Sequence, residues 1–331
     1  RTFSSAASDV YKRQSFHGKT HATLSLTGNE GDKRKYFTQL PGCVSIPYGD
    51  IEAFEKVISS RTESDGNDIC AFILEALVAE EMVLPPEGYF KKVRELCDQH
   101  NIVLIIDEVY NGMGRTGKMF AFEHEGIVPD IFTIAKSLAG GKATLAACIA
   151  RDHIFDGLKI NDDEAFLFTT SFSGLAEECV CAIETLKVFE EEKLVENATE
   201  MGAYFLEQLK NLQNRFPRFI KAVNGRGLLI AVEFHLPFEK LVMLMSKASG
   251  FFKEFAEGFL TGVVMSQFLD KHRILILPGA ENKSSIFINP SLIITREDVD
   301  FFITAFEKLL RRGRVGLAFD FVGMKVRGLF G

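Results

Sequence analysis

Residues 102–136 constrain the fold most, because they hold two apolar runs that each end in a charged residue. The run Ile102–Ile106 ends in Asp107 and Glu108, and a second run, after a glycine-rich turn, ends in Lys136. Continuous apolar runs are typical of strands that are buried on both faces of a parallel sheet. Ligands of such sheets bind outside the carboxyl ends of the strands. The stretch therefore predicts a carboxylate and an amine at neighbouring strand ends.

The residues before this stretch extend the same pattern. Ile69–Val78 is a second buried-strand candidate, and a helix follows Pro85-Pro86 with an apolar face of Phe90, Val93, Leu96 and Cys97. Strand, helix and strand in this order form the βαβ unit of parallel sheets. The predicted fold class is α/β, with a large domain built on a mainly parallel sheet flanked by helices and a smaller α+β C-terminal domain.

The length of 331 residues favours two domains. Residues 1–14 are polar and serine-rich and predict a tail without a packed element, and residues 15–215 predict the large domain. Residues 216–312 predict the small domain, which ends in a helix capped by Thr295 with Asp298 in the capping box. Residues 313–331 have no clear period and stay unassigned.

Composition excludes several classes of function. The net charge of −7 gives no basic field to attract nucleic acid or an anionic membrane. No apolar stretch is long enough to span a bilayer. The six cysteines show neither a CxxC pair nor zinc-type spacing, so we expect no metal site and buried thiols in a reducing compartment. The expected location is the cytoplasm.

The glycines of the turn fit two nucleotide-binding motifs, both in a poor context. Gly112, Gly114 and Gly117 spell GxGxxG, the dinucleotide fingerprint, but the sequence predicts no long helix within the motif. The same residues spell GxxxxGK, but Met119 stands where a P-loop needs a serine or threonine for magnesium.

A third interpretation uses the two charged ends of the stretch. A lysine amine forms a Schiff base with an aldehyde cofactor, and a carboxylate can keep the ring nitrogen of pyridoxal phosphate protonated. Asp107 and Lys136 fit these two tasks, but their spacing of 29 residues alone is weak evidence.

The motifs around both residues make this interpretation specific. They are FHGKT, LPG, PPEGYFKKVRELCD, IIDEV, GMGRTGKMFAFEHE, PDIFTIAKSL and TTSFSG. In this order they resemble the class III (ω-amino-acid type) aminotransferases, especially the putrescine aminotransferase branch, from about residue 15 to about residue 294. The resemblance implies the pyridoxal-phosphate-dependent transferase fold, pyridoxal 5'-phosphate as cofactor, and a homodimer.

The resemblance also implies roles for individual residues. Lys136 matches the lysine that forms the Schiff base and moves the substrate proton, and Asp107 matches the partner of the pyridine nitrogen. Val109 matches the aliphatic side chain under the cofactor ring. Phe16 matches the aromatic side chain over it, and His17 follows in the same motif as a cofactor-binding candidate.

Four further matches concern the phosphate and the substrate. Ser171 takes the place of a threonine that reaches the cofactor phosphate from the neighbouring subunit. Glu75 and Glu80 match two substrate-side glutamates, one of which can gate a substrate-binding arginine. Lys19 occupies a position where some relatives carry an arginine for an ω-carboxylate.

The sequence departs from the family pattern at several sites. Tyr110 replaces a glutamine that contacts the phenolic oxygen of the cofactor, and its hydroxyl is a candidate substitute. Phe287 replaces an arginine that often binds the substrate carboxylate, and a phenylalanine cannot pair with a carboxylate. Residues 1–14 show no resemblance to the N-terminal phosphate-binding part of the family, so we expect a truncated family fold.

The predicted function is a transaminase that moves an amino group from a diamine or ω-amino donor to a 2-oxo acid through pyridoxal phosphate on Lys136. One alternative is a catalytically impaired or inactive truncated relative with a binding or structural role. Another is an acetylornithine, ornithine or 4-aminobutyrate type of aminotransferase.

Overall fold

The chain divides after Glu196 into two units that have separate cores. The first unit comprises Arg1–Ala79 with Val83–Glu196, and the second comprises Glu80–Met82 with Asn197–Gly331. The computed structural model describes residues 2–6, 15–28, 36–63, 66–78, 82–157, 171–235, 250–279, 282–313 and 316.

The first unit is built on a central sheet. Its strands are β1 (Thr2–Ala6), β2 (Cys43–Ile46), β3 (Thr62–Glu63), β4 (Gly66–Asn67), β5 (Ile69–Glu75), β6 (Val103–Asp107), β7 (Ile131–Ile134) and β8 (Ala147–Ala150). Six of them form one sheet in the order β2-β1-β5-β6-β7-β8, while β3 and β4 pair separately. Neighbours in the large sheet are parallel except for β7 and β8, which are antiparallel. The predicted α/β class with a mainly parallel sheet is confirmed.

The helices of this unit are α1 (His21–Leu26), α2 (Ile51–Arg61), α3 (Tyr89–Gln99), α4 (Asp152–Asp156) and α5 (Ala176–Glu191). The apolar face predicted for α3 is buried in the core with the side chains of β5 and β6. Phe72 of β5 stacks on Phe54 of α2, with ring centroids 4.2 Å apart. The βαβ unit predicted from the apolar pattern therefore holds the two strands whose ends carry the candidate site.

The N-terminal residues correct one prediction. Thr2–Ala6 were expected to lie in a tail, but they form β1, which pairs in parallel with both β2 and β5. Strand pairing uses backbone N–H and C=O groups. A short polar segment can therefore form an inner strand of a sheet even though its side-chain pattern does not predict one. Residues 7–14, which belonged to the same prediction, lie outside the described residues.

The second unit contains α6 (Leu194–Arg215), β9 (Ile220–Arg226), β10 (Leu229–Phe234), α7 (Gly250–His272), β11 (Leu277–Pro278), β12 (Ser285–Ile288) and α8 (Arg296–Arg311). The strands form an antiparallel sheet in the order β11-β12-β10-β9. An aromatic cluster from three helices fills the core, with Phe268 stacked on Phe302 at 4.8 Å. The capping box of Thr295 and Asp298 begins α8 as the sequence predicts.

Helix α6 explains why the domain boundary differs from the one predicted at residue 215. Its buried residues Phe205, Leu209 and Leu212 belong to the core of the second unit. The sequence shows that this helix has an apolar face but not which sheet that face covers, so the boundary moves to Glu196. Among the described residues, no helix has the length and apolar character needed to cross a membrane.

Candidate active site

The candidate site lies at the carboxyl ends of β5, β6 and β7. Glu75 and Asp107 are the last residues of β5 and β6, and they are paired in register. Asp107 is paired in turn with Thr133 of β7, and Lys136 follows two residues after that strand ends. Adjacent parallel strands thus bring a row of polar residues to one edge of the sheet, where α/β proteins bind ligands.

Asp107 is held by three hydrogen bonds in a buried setting. Its Oδ2 accepts from His17 Nδ1 at 2.8 Å, and its Oδ1 accepts from the Val109 N–H and the Thr133 hydroxyl, both at 3.1 Å. Burial alone raises the pKa of Asp107, but His17 and the other two donors outweigh it and hold the pKa below its ordinary value. Asp107 is therefore an ionised carboxylate at neutral pH, and because it only accepts, Nδ1 of His17 carries the proton.

Residues 15–18 cross the strand ends and connect two of the carboxylates. The Phe16 N–H donates to Glu75 Oε1 at 3.2 Å, and the His17 N–H donates to the Thr27 hydroxyl at 2.9 Å. The His17 side chain is only 2% exposed. Among the described residues, its Nε2 has no hydrogen-bond partner.

Gly18 makes the turn of this segment possible. Its φ of +120° belongs to the region that side chains disfavour, and an added Cβ would lie 2.8 Å from the Thr23 hydroxyl oxygen. This local requirement places Phe16 and His17 at the strand ends, although they are far from Asp107 in the chain.

Lys136 begins a tight 3-10 turn, Lys136–Ala139, immediately after β7. The lysine is exposed and has a φ of +49°, a left-handed conformation that is unusual for a residue with a side chain. Its Nζ lies 4.7 Å from the centroid of the Tyr110 ring. The turn ends at Gly140, where an added Cβ would meet the Thr185 hydroxyl of α5 at 2.8 Å.

The glycine-rich turn between the two ends has a structural role. No long helix begins within residues 102–136, all of which are described; a short 3-10 turn, Ala121–Glu125, follows the glycines. Both nucleotide-binding interpretations need a helix N-terminus at the glycines, so both are excluded. Gly112 packs against the backbone of Glu108, whose carbonyl oxygen would lie 2.8 Å from an added Cβ.

Glu108 supports this turn from the interior. It is 1% exposed, and its Oε1 accepts the Phe122 N–H at 2.9 Å. Burial raises the pKa of Glu108 to about 8, although the N–H groups of Ala121 and Phe122 act in the opposite direction. At neutral pH Glu108 is therefore mainly protonated, whereas the adjacent Asp107 is ionised. The two carboxyl groups differ because their surroundings differ.

The structure joins most of the predicted site residues into two groups. Phe16, His17, Glu75, Asp107 and Val109 form one hydrogen-bonded group. Lys136 and Tyr110 form the second, through the ring contact.

The remaining predicted residues are less closely tied to these groups. Lys19 Nζ lies 5.6 Å from the Phe16 ring centroid, and Ser171 lies on an exposed turn with no described contact to either group. Glu80 lies outside the described residues.

Sequence reasoning missed Thr133, Glu108 and Asn111. Thr133 is the one polar residue inside the apolar run of β7, which was a usable signal. Glu108 lies within the matched motif IIDEV, and Asn111 lies just before the glycine-rich motif. Asn111 is fully buried, and its amide donates to the Leu77 carbonyl at 2.8 Å, which connects the loop after β6 with the loop after β5.

The donor set fits pyridoxal phosphate. An ionised, hydrogen-bonded carboxylate suits the protonated pyridine nitrogen, and an amine on the neighbouring strand end suits the aldehyde. Among the described residues, no group of three His, Cys, Asp or Glu side chains could hold a metal ion.

Several solved aminotransferase structures are similar to this protein over most of its chain. An ornithine aminotransferase from Toxoplasma gondii superposes with a TM-score of 0.75 at 27% identity, over 93% of this chain and 64% of that chain. That enzyme carries pyridoxal phosphate, at partial occupancy, in its active site. A Bacillus anthracis aminotransferase gives a TM-score of 0.78 at 26% identity, over 94% and 69% of the two chains.

A third relative, the ornithine δ-aminotransferase of Plasmodium falciparum, gives a TM-score of 0.66 at 28% identity, over 85% of this chain and 63% of that one. The chain thus spans about two thirds of the length of these relatives. The sequence profile described as aminotransferase class-III matches residues 6–310. With its mainly parallel sheet and paired strand-end groups, the chain belongs to the class-III aminotransferases and has the pyridoxal-phosphate-dependent transferase fold.

Proposed function

We propose that this protein is a transaminase that uses pyridoxal 5'-phosphate bound to Lys136. It moves an amino group from a diamine or ω-amino donor to a 2-oxo acid. The observation that carries the proposal is the ionised Asp107 at the end of β6, in register with the strand that leads to Lys136. Family membership supports the same activity.

Asp107 and Lys136 have separate tasks in this reaction. When bound, pyridoxal phosphate supplies an electron sink for the carbanion that forms when the substrate loses a proton. Asp107 pairs with the pyridine nitrogen and keeps it protonated, and His17 holds the carboxylate in place through the 2.8 Å hydrogen bond. Lys136 would hold the cofactor through its amine, and the same amine would move the proton at the substrate carbon.

The other matched residues enclose the cofactor. Phe16 and Val109 would pack on the cofactor ring, and Tyr110 would contact the cofactor in place of the glutamine. Ser171 would contribute its hydroxyl to the phosphate site of a neighbouring subunit. Two backbone hydrogen bonds support the roles of Phe16 and Val109. The Phe16 N–H donates to Glu75, and the Val109 N–H donates to Asp107.

The preference for an amine donor without an α-carboxylate rests on Phe287. This residue is 8% exposed in β12 and offers no cation where relatives carry the substrate-binding arginine. Glu75 and Lys19 are the candidates for the substrate side, and the resemblance adds Glu80. Two glutamates there would favour a second amino group on the donor. The expected donors are putrescine and cadaverine, with 2-oxoglutarate or pyruvate as the acceptor.

The similarity to ornithine aminotransferases supports a second candidate, an ornithine-type activity. Steady-state rates with 2-oxoglutarate distinguish the two, since putrescine or cadaverine should be turned over faster than ornithine or acetylornithine. Fast turnover of ornithine with none of putrescine contradicts the diamine assignment and leaves the transaminase assignment intact.

An inactive relative is a third candidate, favoured by Tyr110, which replaces the glutamine that contacts the cofactor in the family. The visible absorbance of the folded protein mixed with pyridoxal phosphate tests it. A Schiff-base band that is lost in Lys136→Ala and kept in Lys142→Ala supports the transaminase. A folded wild-type protein with no band identifies the inactive relative.

The proposed homodimer is supported by an exposed apolar surface on α5. Val180 and Ile183 are 56% and 53% exposed, and Leu186 continues the same face of the helix, so an apolar stripe faces outward. A second copy of the chain covers this stripe. Light scattering should give a dimer for the wild type and a monomer for Ile183→Glu, and a monomeric wild type contradicts the assignment.

A further inference from the structure

The ring of Tyr110 lies next to the amine of Lys136, and this contact is not among the roles that the resemblance implies for Tyr110. The Nζ of Lys136 is 4.7 Å from the Tyr110 ring centroid, within the distance of about 6 Å at which a ring face attracts a cation. Tyr110 follows β6 by three residues and Lys136 follows β7 by two, and these strands are parallel neighbours. The contact is therefore set by the sheet topology.

The surroundings of both Lys136 and Tyr110 favour this contact. The left-handed φ of +49° at Lys136 sets the direction in which its side chain leaves the turn. On the other side, Tyr110 lies within electrostatic range of Arg115: burial lowers the pKa of Arg115, and Tyr110 acts against that shift. Tyr110 thus contacts Lys136 through its ring and interacts electrostatically with Arg115. A glutamine could not reproduce the contact with Lys136 because an amide has no comparable ring face.

We propose that Tyr110 is a positioning residue that holds the amine of Lys136 as a cation over its ring, and so sets how readily that amine reacts with an aldehyde. Only the neutral amine attacks a carbonyl, and the ring face stabilises the ammonium form. The ring therefore slows attachment of an aldehyde and keeps the amine at the strand ends until the cofactor arrives. The inference rests on the proposed role of Lys136.

The test measures the amine itself and needs no loaded enzyme. The cofactor-free protein is reductively methylated with formaldehyde and a mild borane reductant over a range of pH, and peptide mass spectrometry gives the rate at each lysine. Tyr110→Leu keeps apolar bulk without the ring, Tyr110→Gln introduces the residue of the relatives, and Tyr110→Phe keeps the ring. The exposed Lys142 serves as the internal reference.

The expected result is labelling of Lys136 about two- to fivefold faster in Tyr110→Leu and Tyr110→Gln near neutral pH, with wild-type rates in Tyr110→Phe. The midpoint of the rate against pH moves down with the faster rate, since the proton equilibrium changes. Equal rates in all four proteins overturn the inference. A faster rate with an unmoved midpoint also overturns it, because that pattern reports access alone.

The outcomes separate this inference from the proposed function. A wild type without a Schiff-base band contradicts the transaminase, whatever the labelling rates are. A wild type that forms the band, with labelling rates that do not depend on Tyr110, contradicts only the role of the ring.

Discussion

The two ends of the stretch 102–136 are built in opposite ways. Asp107 is buried and accepts three hydrogen bonds from three different segments of the chain. Lys136 is exposed, and it begins a short turn in a left-handed conformation. The buried carboxylate is held from three sides in one charge state, whereas the exposed lysine is held only by its turn and by its contact with the Tyr110 ring.

The largest expected effect separates the two ends by stability. Asp107→Ala leaves buried His17 and the Thr133 hydroxyl without their acceptor, so we expect a loss of about 3 kcal/mol in the free energy of unfolding. Lys136→Ala removes an exposed side chain and its contact with the Tyr110 ring, and should lower the free energy of unfolding by less than about 1 kcal/mol. Urea unfolding of both variants measures this. Equal losses contradict the contrast between the two ends.

A second prediction concerns Glu108, which is buried beside Asp107. Its folded pKa of about 8 lies above its ordinary value of 4.5, so the unfolded chain releases the proton first as pH rises. Glu108 therefore lowers stability by about 1.4 kcal/mol per pH unit between about pH 5 and 8. Glu108→Gln should flatten that slope in urea unfolding at pH 5.5, 6.5 and 7.5. An unchanged slope shows that Glu108 is ionised in the folded protein.

A third prediction tests the turn that presents Lys136. Gly140→Ala introduces a Cβ at a φ of +60° and 2.8 Å from the Thr185 hydroxyl, and should cost about 2 kcal/mol of unfolding free energy. Gly141→Ala is the matched control, because its φ is +71° but nothing lies within 4 Å of the new Cβ. Its cost should be about 1 kcal/mol, from the backbone alone. Equal thermal shifts would mean that α5 does not support the turn.

The smallest effect is expected at Thr133. Thr133→Val removes the hydroxyl that donates to Asp107 at 3.1 Å and should cost about 1 kcal/mol of unfolding free energy. It also weakens the stabilisation of the ionised carboxylate, so the pKa of Asp107 should rise. Thr133→Ser keeps the hydroxyl and should retain both properties. Carboxyl titration by NMR detects the change, and identical Asp107 curves in wild type and Thr133→Val argue against this contact.

The sequence predicts those parts of the fold that carry a local signal, which is a continuous apolar run, a helical apolar face or a capping box. The strands β5 and β6, the apolar face of α3 and the capping box of α8 all follow from such patterns. Strand β1 does not, because it is held by backbone pairing between two other strands. Helix α6 shows its apolar face clearly, but the pattern does not reveal which core receives it.

The sequence also predicts some features of the candidate site and not others. Asp107 and Lys136 stand at the ends of apolar runs, so their placement at one sheet edge follows from topology. The His17–Asp107 hydrogen bond joins residues 90 positions apart, and no local pattern predicts its geometry. Burial raises the pKa of Glu108, whereas hydrogen-bond donors, with His17 foremost, outweigh burial and lower the pKa of Asp107. These surroundings become visible only in the folded chain.

The most direct test of the central claim is to locate the cofactor on the chain. The protein is mixed with pyridoxal phosphate, reduced with borohydride, digested and mapped by mass spectrometry. We expect one pyridoxyl modification, on the peptide that contains Lys136, and its absence in Lys136→Ala. Modification of Lys19 or Lys142 in preference to Lys136, or none at all in the folded wild type, would contradict it.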